Sequence, residues 1–139
     1  MKTLIIIALL LSIFSCNLKQ SSRLRFSEKC DIKIPKDVIV TKDEYQNMLQ
    51  DYVINYEIAL TDSAMNQIVN SIKNSKYYNS RINTASNVST DTSTKIKDKK
   101  ANWVQSKSGY LLSYQHDNIS CYAFIDTIQM TGKFKLSSD

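Results

Sequence analysis

Between Trp103 and Leu136 the chain runs through four short segments in which apolar residues fall on every second position, and that period constrains the fold more than any other feature. Tyr110, Leu112 and Tyr114 share one side of a strand, Cys121, Ala123 and Ile125 one side of the next, and Met130, Phe134 and Leu136 one side of a third. A period of two sends alternate side chains to opposite faces of a sheet. Ser108-Gly109 and Asp117-Asn118 supply turn chemistry between segments, so residues 103–107, 110–116, 119–125 and 130–136 predict an antiparallel meander. Lys133 and Lys135 point away from the apolar side. The sheet therefore has one wet face and one that needs a cover.

The cover is written upstream. Thr61 and Asp62 offer capping oxygens, after which Ala64, Met65, Ile68, Val69 and Ile72 recur at steps of three and four, the stripe of an amphipathic helix ending near Ser75. Before it, Tyr52, Ile54, Tyr56, Ile58 and Leu60 alternate strictly and predict a strand over 52–60. The stretch ahead of that strand carries a helical signal. Thr41 and Glu44 have the spacing of a capping box, and Tyr45, Met48, Leu49 and Tyr52 follow at helical intervals, so a short helix is expected there. Ile32 and Ile34 flank Lys33 as a short strand that Pro35 limits, because proline lacks an amide donor. Taken together, residues 30–139 predict a single α+β domain, an antiparallel β meander packed against one main helix in a small two-layer architecture.

Two stretches show no such period. Residues 16–29 are polar, with isolated Leu18, Leu24 and Phe26, and are expected to form a flexible tether. From 84 to 94 the residues are almost all Ser, Thr, Asn and Asp, and Lys95, Lys97, Lys99 and Lys100 follow. Too little apolar surface is available there to offset the entropy of ordering the backbone, so a mobile polar loop is expected at about 84–100, with those four lysines as its partner-contacting residues.

The N-terminal end defines the compartment. After Met1-Lys2, an apolar stretch from residue 4 to 14 is broken only by Ser12, which gives about eleven residues where a bilayer-spanning helix needs roughly twenty. Residues 1–15 therefore read as a secretory signal peptide. The tetrad Ile13-Phe14-Ser15-Cys16 resembles the lipobox of bacterial lipoproteins, with an aliphatic residue three before the cysteine and a small one directly before it; Phe14 is bulkier than the usual occupant. The resemblance implies that signal peptidase II cuts ahead of Cys16 and that its thiol bears a diacylglyceryl group, with fatty acid often added to the new amino group. Each buried methylene contributes about 0.8 kcal/mol, so two or three acyl chains give a durable membrane anchor. Asn17 stands where an aspartate resembles an inner-membrane retention signal in enteric bacteria. The expected location is thus exported and lipid-anchored, with the outer membrane favoured.

Two cysteines remain, Cys30 and Cys121. In an oxidising compartment an even pair in a small domain is read first as a disulfide, and closing a loop of about ninety residues is worth on the order of 4–5 kcal/mol in the chain-entropy model. The competing reading is two separately buried thiols.

The chemistry is bounded by what the chain lacks. A single histidine, His116, excludes zinc sites built on two or three histidines. Gly109 and Gly132, the only glycines, cannot form a phosphate-cradling loop. His116-Asp117 could serve Ser113 or Ser120 only if a turn redirects the aspartate, because neighbours on a strand face opposite ways. No catalytic residue, metal or cofactor is expected. The basic excess of 18 Lys and Arg over 13 Asp and Glu is modest and mostly lysine, so nucleic acid is not an expected partner. The leading expectation is a non-enzymatic interaction module of the bacterial envelope with a protein partner. Two alternatives stay open: an inhibitor or immunity-type protein acting against a toxin or lytic enzyme through the polar loop, and a small-molecule binder using Tyr110, Tyr114, Tyr122 and Trp103 on a Tyr-rich sheet face.

Overall fold

A computed structural model describes residues 20–79 and 100–138. Its elements in chain order are α1 (Ser22–Cys30), β1 (Ile39–Met48), β2 (Asp51–Ala59), α2 (Asp62–Lys73), β3 (Trp103–Gln105), β4 (Gly109–His116), β5 (Ile119–Asp126) and β6 (Thr131–Ser138). All six strands join one sheet in the order β1-β2-β6-β5-β4-β3, and every pairing between them is antiparallel. The α+β class read from the sequence holds, and so do the strand before α2, the helix itself and the C-terminal meander. What the period could not supply is the closure between the two halves. The β1-β2 hairpin joins the meander through β6, whose Phe134 stands opposite Tyr56 on one side and Ala123 on the other.

The alternation sorts the sheet cleanly. Ile54, Tyr56 and Ile58 of β2, Phe134 and Leu136 of β6, Cys121, Ala123 and Ile125 of β5, and Leu112 of β4 all face one core and are buried. Both helices cover this face. From α2 come Ala64, Met65, Ile68 and Ile72, the apolar stripe anticipated for it, with Thr61 Oγ1 accepting the Ala64 amide at the N-terminal cap.

The tether expectation fails at α1. Residues 22–30 form a helix whose Phe26 and Cys30 are fully buried. Ser21 caps it by accepting the Leu24 amide, and Asp31 ends it in the left-handed conformation at φ 53°. Phe26 lies 5.3 Å from Phe134 and 6.0 Å from Tyr56, ring centre to ring centre, so α1 rests on the middle of the sheet. Only two positions four apart face the core; so narrow a stripe does not register as periodicity.

A second correction concerns residues 41–48, which form strand β1 rather than a helix. The capping-box spacing of Thr41 and Glu44 is a local preference, and pairing with β2 along β1, broken only by a bulge at Thr41, overrides it. The hairpin turns at Leu49-Gln50, with Leu49 at φ 58°. A third correction is smaller: Ile32 and Ile34 are buried but belong to an irregular connection, not a strand. Its geometry is fixed by side chains instead of a ladder. Ser71 Oγ accepts the Lys33 amide, and the Asp31 carboxylate accepts both Ser75 Oγ and the Lys76 amide, which ties the ends of α1 and α2 together.

Candidate functional site

Cys30 ends α1 and Cys121 faces it from β5, and the two sulfurs stand 3.9 Å apart in the core as thiols. A sequence separation of 91 residues is thus brought to contact. Two hydrogen bonds hold the helix end in place: Trp103 Nε1 donates to the Cys30 carbonyl at 3.0 Å, and Tyr114 Oη donates to the Lys29 carbonyl at 3.0 Å. The thiols share one hydrogen bond with unequal effect. It pushes the Cys30 pKa up, with burial adding to the rise. It draws the Cys121 pKa down, against burial, with smaller help from Tyr114 and the positive charge of Lys29.

The four aromatic residues expected to line a ligand concavity are not brought together. Trp103 is fully buried, Tyr110 nearly so, and Tyr114 is packed beneath the end of α1. Tyr122 lies on the other side of the sheet, opposite Ser113 and Lys135. Burial raises the phenol pKa of Tyr110, Tyr114 and Tyr122 alike, most of all at Tyr114. Trp103, Tyr110 and Tyr114 belong to packing and Tyr122 lies apart from them, so the four rings form no shared concavity.

His116 and Asp117 do meet, at 3.4 Å, because Asp117 takes φ 51° at the hairpin turn and redirects its side chain. Both side chains stand largely in water, where such a pair is worth about 0–1 kcal/mol. Nothing there shields a reacting group. Among the described residues there is no cluster of metal-ligating side chains, and no helix is long and apolar enough to cross a membrane. Lys100 is exposed. Lys95, Lys97 and Lys99, the rest of the expected polar loop up to residue 99, the expected signal segment 1–15 and Cys16 lie outside the described residues.

The surface that sequence reasoning missed is the sheet's β1 edge. This ten-residue strand is exposed along nearly all its length, including Ile39, Val40, Tyr45 and Met48. On it Lys42 pairs with Glu44 at 3.3 Å, and Asp43 accepts a hydrogen bond from the Ser22 hydroxyl of α1. The opposite edge is different in kind: β3 has three residues, and Tyr78 bridges to Trp103 in a parallel sense on its outer side. Of the two edges, only β1 offers a long outer row of main-chain groups among the described residues. The signal for this was available only as the short run Val38-Ile39-Val40, which reads equally well as core. Comparison of the chain with protein-family models, with curated proteins and with solved structures returned no match.

Proposed function

We propose that the chain is a lipid-anchored, non-enzymatic interaction module of the bacterial cell envelope, held to the membrane by Cys16, which captures an extended segment of a partner protein along β1. The observation that carries the reading is the contrast between the two sheet edges. An edge strand presents alternating N–H and C=O groups that another strand satisfies most completely, and native sheets normally shorten or cover such an edge. Here one edge is short and bridged, and the other runs from Ile39 to Met48 with apolar side chains exposed. Lys42 and Glu44 pair with each other and Asp43 leaves the strand one net negative charge, so the partner segment is a strand without acidic excess that carries apolar residues at alternate positions, recognised by its backbone and by contact with Val40 and Tyr45.

The anchor and the domain sit close together in this reading. Cys16 and the first residue of α1, Ser22, are six positions apart, a reach of roughly 20 Å at most. The partner is accordingly a protein at the same membrane surface. A photo-crosslinking side chain at position 40 of the full chain, activated in intact cells, is expected to yield a discrete protein adduct, whereas the same group at exposed Ile128 yields none. Equal labelling at the two positions, or none at either, rejects the edge. Cys16→Ser tests the anchor separately: it should move the protein from the membrane to the soluble fraction, and continued sedimentation with membranes rejects lipidation at that residue.

A further inference from the structure

We propose that Cys30 and Cys121 close into an intramolecular disulfide when the protein meets a disulfide-bearing oxidant, fastening α1 covalently to β5. Contact geometry is the first support. The sulfurs are already neighbours at 3.9 Å, at van der Waals contact, and a bond of about 2.05 Å needs only a further approach within this one contact. The backbone on the helix side is held for this. Trp103 and Tyr114 grip the carbonyls of Cys30 and Lys29, so the end of α1 is pinned over β5 by contacts that do not involve sulfur. On the other side, Cys121 sits in the middle of the sheet, in register with Tyr114 of β4 and Leu136 of β6. No other described cysteine competes for either partner.

The exchange needs only one of the two cysteines to begin it. The thiolate of one attacks the oxidant's disulfide, forming a mixed disulfide there and expelling one thiolate of the oxidant. The other cysteine then gives up its proton and attacks the protein sulfur of that mixed disulfide, forming the Cys30–Cys121 bond and releasing the oxidant's second sulfur as a thiol. The two cysteines lose two protons and two electrons, and the oxidant's disulfide becomes two thiols. Both cysteines are at most 1% exposed in the folded domain. Exchange therefore takes place while the chain is folding, and once made the bond is shielded from reductants. The closure depends on the sheet and α1, not on the anchor or the β1 edge, so the two proposals can fail independently.

Thiol accounting on the unmutated full chain is the test. The reduced, denatured protein is refolded in a buffer of reduced and oxidised glutathione, quenched with one alkylating reagent under denaturing conditions, then reduced and treated with a second, heavier reagent. The expected result is a two-hydrogen mass deficit before reduction, with Cys30 and Cys121 carrying only the second label in at least about nine molecules in ten. First-reagent labelling of both cysteines overturns the proposal and leaves a thiol pair packed as core. A Cys30→Ser chain guards against a false positive: Cys121 should then take the first reagent or carry the mass of one glutathione, and protection of Cys121 without a glutathione adduct means its partner is another residue of the chain and the proposal fails. The bonded protein should also unfold at higher denaturant concentration than the same protein kept reduced. Equal midpoints mean that the bond does not restrain α1.

Discussion

At the scale of single residues, the sequence announces chemistry but not its setting. Leu49 shows this well: it looks like one more apolar position of a helix, and in the fold it sits fully exposed at φ 58° in a hairpin turn. The left-handed conformation disfavours a Cβ-bearing residue by about 1–2 kcal/mol, and asparagine tolerates it better. Leu49→Asn should therefore raise stability by about 0.5–1 kcal/mol, since no buried surface is lost, and a higher urea midpoint is the readout. Tyr114 makes a second case. Burial, then the neighbouring Cys121 and Cys30, lifts its phenol pKa, and burial is the leading cause for Tyr56, Tyr110 and Tyr122 as well. Unfolding returns these groups to an ordinary value of about 10, so above that pH the unfolded chain loses protons that the folded one keeps. Their contribution is fully present below about pH 10 and is withdrawn as pH climbs further. Urea midpoints measured from about pH 9 to 11.5 should fall, and in Tyr114→Phe the fall should be shallower although the variant starts weaker for want of the bond to the Lys29 carbonyl.

At the scale of elements, legibility followed the number of core-facing positions. β2 and α2 each bury at least three side chains at a regular interval, so their patterns could be read directly. α1 buries two and β1 none, and neither element can be recognised from its own residues. What makes β1 a strand is its partner β2; what makes 22–30 a helix is the floor of Tyr56 and Phe134 under Phe26. The thiol pair was legible only as two cysteines of matching context, while the grip of Trp103 and Tyr114 on the end of α1 depends on three-dimensional placement and had no sequence signal. It follows that α1 is part of the domain and not a spacer. Phe26→Ala should destabilise the protein by about 3–5 kcal/mol, the range for emptying a buried aromatic site, as measured by chemical denaturation. A change under about 1 kcal/mol would mean that α1 is dispensable for the fold.

At the scale of the whole molecule, the defining fact is the position of β6. It lies between β2 and β5, and through it the hairpin and the meander become one sheet with one core. Ending the chain after Met130 would remove Phe134 and Leu136, both buried, and expose the inner edges of β2 and β5. Such a chain should show no cooperative thermal transition by circular dichroism; a sharp transition would show that one half folds without the other. The topology also has a temporal side. With its central rung supplied by residues 131–138, the sheet stays in two unjoined pieces until synthesis has passed that point. A nascent polypeptide of this design keeps the facing edges of β2 and β5 open until its central strand emerges, so any pause before those residues prolongs the exposure of both halves.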